Sequence, residues 1–186
     1  DYPPRAAFFR GQLTEHLLLA REEGKNPLSL KGSYAGAMGY GQFIPSSYRN
    51  FAVDFDGDGV RHIWTNNTDA IGSVANYFVR HGWSGQDDVV EAVTVNEETP
   101  ELMSKANSSL RPTETVSYWR EQGVKIGSQQ PDDRKATLMR MQQPDGADYW
   151  LGYDDFYVIT RYNHSRLYAM AVHELSQLIV DRRGSQ

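Results

Sequence analysis

From Gly32 to Tyr48 the chain reads Gly-Ser-Tyr-Ala-Gly-Ala-Met-Gly-Tyr-Gly-Gln-Phe-Ile-Pro-Ser-Ser-Tyr, without one charged side chain. Glycines at 32, 36, 39 and 41 mean that the backbone turns tightly here or lets another group come close to it. Whatever this chain folds into has to be organised around that stretch. Tyr34, Tyr40 and Tyr48 offer stacking faces, and Gln42 adds a lone amide. The set suits a neutral polar ligand.

An acidic loop follows. Asp54-Phe55-Asp56-Gly57-Asp58-Gly59-Val60 repeats the opening of an EF-hand loop, with carboxylates at positions one, three and five. The glycine makes the sharp turn and the next carbonyl, that of Val60, points inward. Without a cation the three like charges repel one another, so calcium is expected rather than a solvated turn. The twelfth position, normally Glu, is Thr65, and the closing carboxylate has to come from further on; Asp69 is the candidate. Hard oxygen cages of this kind chiefly order a loop, which makes the expected ion structural.

Around these two loops the sequence predicts helices and a few strands. An amphipathic helix runs from Arg5 to Glu23, with Phe9, Leu13, Leu17 and Ala20 as its apolar face. Ile44-Pro45 leads into a short helix with Ser46 and Ser47 as candidate caps. A helix follows from Ala70 to Gly82, with Asp69 as both cap and metal ligand. Strands are expected over 88–95, 124–126, 136–142 and 148–152, and helical pieces over 100–106 and, capped by Thr113, over 113–122. Phe156 to Asn163 is a short helix or turn, and Leu167 to Asp181 is a helix whose face of Tyr168, Ala171, Leu175 and Leu178 should pack back on the first half. Residues 86–154 then form a small α+β insert in one core.

The 186 residues can bury a real core. A net charge of −5 argues against a nucleic-acid partner, because phosphate neutralisation needs a basic face. With no cysteine there is neither a disulfide nor a thiolate metal site. No run is long and apolar enough to span a membrane and none reads as a signal peptide. The chain opens on Asp1-Tyr2-Pro3-Pro4 without Met, and is expected to be a mature or truncated product. Phosphate-loop, serine-elbow and zinc-protease motifs are absent. The five histidines are scattered and no glutamate stands out as a catalytic acid. The residues by themselves lead to a calcium-stabilised globular domain that binds a neutral ligand.

Four segments carry a further likeness: Lys31 to Tyr48, Val53-Asp54-Phe55-Asp56-Gly57-Asp58-Gly59, the Asp69 to Phe78 helix, and Ile159-Thr160-Arg161-Tyr162-Asn163-His164-Ser165. Together they resemble the membrane-bound lytic transglycosylase B family, over essentially the whole chain and most weakly across 86–146. The resemblance implies an α+β fold: a mainly helical lysozyme-like core with an EF-hand-type calcium site, residues 1–85 and 155–186, interrupted by the insert at 86–154. It implies peptidoglycan glycan strands as substrate, cleaved between N-acetylmuramic acid and N-acetylglucosamine without water to leave a 1,6-anhydromuramoyl end. One glutamate makes both proton transfers in that chemistry and needs an apolar pocket that raises its pKa. No second carboxylate is required.

Carried over by position, the resemblance places Ser33 and Gln42 near the catalytic acid, and Tyr34, Tyr40 and Phe43 in the cleft walls. Tyr162 and Asn163 match the Tyr-Asn pair that closes the other side, with Tyr168 one turn beyond. The matching calcium ligands are Asp54, Asp56, Asp58, the Val60 carbonyl and Asp69. Trp64 to Asp69 is one residue longer than the usual family form, which makes Asn66 and Asn67 substitute candidates for the last ligand. The family's catalytic Glu-Ser lies upstream of the segment resembling Asp1-Tyr2-Pro3, so no catalytic residue is expected in this chain and the chain alone is expected to be inactive. The implied partner is that missing N-terminal segment, the implied compartment the periplasm, with a lipid anchor to the outer membrane lying outside this chain. The competing reading is a calcium-stabilised peptidoglycan-binding module without catalysis.

Overall fold

The computed structural model describes residues 3–85 and 88–184. The boundary expected between 85 and 86 abuts Gln86 and Asp87, which lie outside the described residues, as do Asp1 and Tyr2 of the opening segment. The chain divides into two units, Asp1–Arg80 and His81–Gln186.

The first unit is helical. A 3-10 turn, Pro3–Arg5, leads into α1, Ala6–Glu22. After the glycine-rich loop come α2, Pro45–Phe51, and, past the acidic loop, α3, Asn67–Arg80. Leu19, Met38, Phe43, Tyr48 and Ile63 form the buried centre, each such side chain worth roughly 1.5–3 kcal/mol of burial. The face expected of α1 is only partly the inward one: Leu13 and Leu17 are 60% and 53% exposed. The residues α1 buries are Leu19 and Ala20, and its carboxylates meet arginines of the following segments. Arg49 of α2 grips Glu22 through a two-pronged bond (Nε to Oε2, 2.9 Å; Nη2 to Oε1, 2.7 Å) and also pairs with Glu15, while Arg61 pairs with Glu23. These carboxylates turn towards α2 and the acidic loop, and the two leucines turn away.

The serines do not cap α2. Its first turn is served from α1, where the Gln12 side chain accepts from the Ser46 N–H and donates to Ser46 Oγ, both at 3.0 Å. Nor does Asp69 cap α3. Asn66 does, its Oδ1 accepting from the backbone of Thr68 (2.9 Å) and Asp69 (3.3 Å).

The second unit is built on an antiparallel sheet of β1 (Val90–Val95), β2 (Glu114–Thr115), β3 (Val124–Ile126), β4 (Lys135–Gln143) and β5 (Gly146–Gly152), in the order β2-β4-β5-β1-β3. Leu138 lies opposite Leu151, and Arg140 opposite Tyr149. Two short helices, α4 (Pro100–Lys105) and α5 (Val116–Glu121), bring Leu102, Val116 and Trp119 into the core that Leu138, Tyr149 and Leu151 share. Thr115, not Thr113, caps α5, because 114–115 is drawn into pairing with β4. β4 is buried on both faces from Ala136 to Met139. The second face is covered by Phe156 of α6 (Asp154–Tyr162), which lies so near Gly152 that a Cβ there would stand 2.9 Å from its ring. Helix α7, Arg166–Gly184, buries only Ala169 and Met170. Leu175 and Leu178, expected to pack back on the first half, are 57% and 61% exposed.

The overall class is therefore the α+β one expected. Asp155, almost fully buried at the start of α6, accepts from Ser84 N (2.8 Å), Ser84 Oγ (3.0 Å) and Gly85 N (2.9 Å), which fixes the entry to this unit.

Candidate functional site

The glycine-rich loop is two tight turns hinged on Met38. Ser33 N–H donates to Ala37 O (2.8 Å) and Gly36 N–H returns to Ser33 O (2.9 Å). Met38 and Phe43 then exchange both backbone hydrogen bonds, 2.8 and 3.0 Å, around the turn at 39–42. Gly39 occupies the left-handed region (φ 63°), and a Cβ on it would sit 2.5 Å from Ile63 O, so only glycine fits. Gln42 is also left-handed (φ 50°), unusual for a residue with a side chain. Its amide settles this by donating to Gly39 O at 2.9 Å.

Anchored this way, the loop presents Ser33, Tyr34, Tyr40 and Gln42 at the surface, with the Tyr34 ring fully exposed. Phe43 is a correction: it is 3% exposed and packs near Tyr77, ring centroids 6.1 Å apart, so it belongs to the core and not to a cleft wall. Beside the loop lies a groove of about 260 Å³ lined by Phe9, Gln12 and His16 of α1 and by Ser33 and Tyr34. An apolar hollow of about 430 Å³ lies on the other side, between Tyr40-Gly41 and Ile71, Val74 and Phe78 of α3.

In the acidic loop, Asp54, Asp56 and Asp58 can each bring a carboxylate oxygen within 4.8 Å of the others. Backbone N–H groups bend the chain into place. Asp54 Oδ1 accepts from Gly57 (2.7 Å) and Asp58 (3.1 Å), Asp54 Oδ2 from Gly59 (2.8 Å), and Asp58 Oδ1 from Val60 (2.8 Å). Oxygen-only donors at this spacing match a hard divalent cation of calcium's class. Asp69 lies outside this triad. Fully buried, it accepts from Phe55 N (2.8 Å) with one oxygen and from His62 N (2.7 Å) with the other, stapling the two ends of the loop together. Burial pushes its carboxyl up, but the backbone donors of His62, Phe55 and Asp56 outweigh this and hold it below the usual carboxylate range. Asn66 is committed too, its Oδ1 to the α3 cap and its Nδ2 to Asp56 Oδ2 at 2.7 Å. Asn67 is the first residue of α3.

In the second unit, Tyr162 ends α6 and Asn163 begins the turn to α7. Asn163 O accepts from Ser165 N (2.7 Å), and Ser165 Oγ caps α7 by accepting from Tyr168 N (3.2 Å). Asn163 and Tyr168 are exposed.

A family model described as a transglycosylase SLT domain matches residues 1–177. The chain belongs to that family. Membrane-bound lytic murein transglycosylase B of Escherichia coli (strain K12) is 48% identical over 181 residues, 96% of this chain and 48% of its own length. The SLT chain thus spans about half the length of the curated relative it matches. Catenated lytic transglycosylase SltB1 from Pseudomonas aeruginosa is 52% identical with a TM-score of 0.92, covering 98% of this chain and 60% of that one. The E. coli lytic transglycosylase Slt35 in complex with calcium is 44% identical with a TM-score of 0.84, covering 98% and 56%. The lysozyme-like class implied by the resemblance is the one these neighbours share.

Two roles in the SLT chain escaped sequence reasoning: the link made by Gln12, and the α3 cap made by Asn66, which the sequence offers only as a substitute metal ligand. Gln12 looked like one more polar position on a helix, and no local signal links it to Ser46. Asn66 had a signal: an Asn three residues ahead of an acidic side chain at a helix start is a variant of the capping box.

Proposed function

We propose that this chain forms part of a lytic transglycosylase acting on the glycan strands of peptidoglycan. It would cut the β-1,4 bond between N-acetylmuramic acid and N-acetylglucosamine without water and leave 1,6-anhydromuramoyl ends. The observation that carries this is the loop geometry: Ser33, Tyr34, Tyr40 and Gln42 held at the surface by a rigid pair of turns beside a groove. Exposed tyrosine rings with an amide and a hydroxyl suit sugar faces and acetamido groups. Tyr162, Asn163 and Tyr168 of the second unit are proposed as further glycan contacts. Phe43 acts from beneath, as packing. The proton-transferring glutamate is proposed to lie outside this chain, on an N-terminal segment of the same protein, for which the exposed Leu13 and Leu17 of α1 offer an apolar seat.

Digestion of purified sacculi tests this. The 186-residue polypeptide should bind sacculi and release nothing, whereas the same residues in a chain of the relatives' full length should release anhydromuropeptides, read by mass spectrometry. Reducing ends in the product would mean a hydrolase. Release by the short polypeptide alone would mean that an internal glutamate does the work.

Asp54, Asp56, Asp58 and the Val60 carbonyl are proposed to hold a structural calcium ion, with Asp69 bracing the loop from behind. The ion would neutralise the carboxylates and take no part in the chemistry. At a hundredfold excess over its dissociation constant it should add about 2.7 kcal/mol. That corresponds to a melting midpoint roughly 5–10 °C higher in calcium than in chelator. Equal midpoints would remove the metal from the proposal. No helix of the described residues is long and apolar enough to cross a membrane; a periplasmic location, with any lipid anchor outside this chain, follows from the proposed substrate.

A further inference from the structure

The turn carrying Tyr162 and Asn163 is tied to a place that none of the sequence motifs touches. Asn107, in the connection after α4, sits in the left-handed region (φ 60°). It behaves as a one-residue extension of the sheet edge. Its N–H donates to Leu138 O (3.0 Å), its Nδ2 to Arg140 O (2.8 Å), and its Oδ1 accepts from Arg140 N (3.1 Å). It thereby satisfies β4 where the two-residue β2 no longer reaches. The remaining carbonyl of Asn107 accepts from Nη2 of Arg166, the first residue of α7.

Arg166 is an odd choice for stability. Its Nε is shielded from solvent with no hydrogen-bond partner, and burial, with no acidic neighbour to offset it, pushes the guanidinium's pKa down. A half-buried cation with one dry nitrogen gives up part of its hydration, which an apolar side chain of similar length would not. What the guanidinium provides is one directed bond, from the residue just after the Asn163–Ser165 turn to a fixed point on the sheet.

We propose that the Arg166–Asn107 hydrogen bond is a latch that sets the orientation of the Tyr162–Asn163 turn, making Arg166 and Asn107 positioning residues for glycan binding. The inference rests on the reading that Asn163 touches the glycan. The latch holds the backbone through Asn107 O, and the Asn107 amide holds that carbonyl in place through Arg140. Neither residue meets the sugar.

The test compares the wild-type chain with Arg166→Met, Arg166→Lys and Asn107→Gly, the last of which keeps the left-handed backbone but loses the amide. Amide hydrogen exchange at Asn163, Ser165 and Tyr168 should rise about tenfold in Arg166→Met, with Leu138 and Met139 unchanged. The melting midpoint should stay level or rise. The dissociation constant for a GlcNAc–MurNAc oligosaccharide should rise roughly three- to tenfold. Arg166→Lys, which can still donate to the carbonyl, should recover part of both losses, and Asn107→Gly should loosen the same turn while also lowering the midpoint and raising exchange at Arg140, whose backbone groups it leaves unpaired. The latch is overturned if exchange at the turn stays at the wild-type level. It is equally overturned if in Arg166→Met the midpoint falls and exchange rises throughout β4, the mark of an ordinary structural prop. Looser exchange with unchanged oligosaccharide affinity removes the positioning role. If the wild-type chain binds no oligosaccharide, the proposed function falls and the positioning role with it, while the exchange measurement still decides whether the latch exists.

Discussion

Asp69→Ala is expected to lower the folding free energy by about 3–5 kcal/mol, since two hydrogen bonds to a charged group are lost at roughly 1.5–3 kcal/mol each. The carboxylate is fully buried and ties Phe55 N to His62 N across the acidic loop. Truncation leaves those donors without their acceptor and opens the space the carboxylate fills. Denaturant unfolding with and without calcium separates two roles for the residue. A bracing residue costs nearly the same in both conditions, and a metal ligand loses most of its effect in chelator.

The pH dependence has a definite sign. The folded-state pKa of Asp69 lies below its unfolded value, which is about 3.9. Its contribution is therefore complete above that value and fades as the pH falls through the folded pKa. Wild-type stability should drop on acidification below about pH 4, and the Asp69→Ala curve should be flatter over that window. Parallel curves would assign the acid sensitivity to other groups.

Gly39→Ala is the second large effect. A left-handed backbone costs a residue with a Cβ about 1–2 kcal/mol, and φ here is 63°. The new methyl would also stand 2.5 Å from Ile63 O and 2.7 Å from Ile63 Cγ1, adding an overpacking cost of about 1–3 kcal/mol. Ile63 O is the acceptor for Tyr40 N–H at 2.9 Å, so relief of the clash would pull the loop off its anchor. A loss of about 2–5 kcal/mol is expected, together with weaker glycan binding. Gly36→Ala is the control. Its φ is 78°, but the nearest atom to a new Cβ, Pro45 Cδ, is 3.9 Å away. Only the backbone cost of about 1–2 kcal/mol applies there. Equal losses at the two positions would refute the argument from close approach.

What could be read in advance followed from local chemistry. The glycine-rich turns, the spacing of Asp54, Asp56 and Asp58, and the α7 span all depend on residues a few positions apart, and all were legible. The failures depended on distant partners. The leucine stripe of α1 looked like its buried face, yet α1 buries Leu19 and Ala20, and its Glu15, Glu22 and Glu23 pair with Arg49 and Arg61 of the segments that follow. Phe43 stood among surface residues in the sequence and fell into the core because the turn at 39–42 reverses the chain beneath Tyr40. Asp69 was legible as essential to the acidic loop, but its bonds go to backbone N–H groups that no spacing rule reveals. Arg166 carried no signal at all, since its partner is 59 positions away.

The bond between Gln12 and Ser46 bears on how this chain can change over time. Helix α2 is seven residues long, too short to hold together in isolation, and its first turn borrows an acceptor from a helix 34 positions earlier. Positions 12 and 46 are therefore physically coupled. A side chain of Gln's length with a terminal oxygen can occupy 12, and a shorter or apolar one cannot without releasing the end of the loop that carries Tyr40 and Gln42. A change at an unremarkable helical position would thereby reach the glycine-rich loop through the backbone of Ser46.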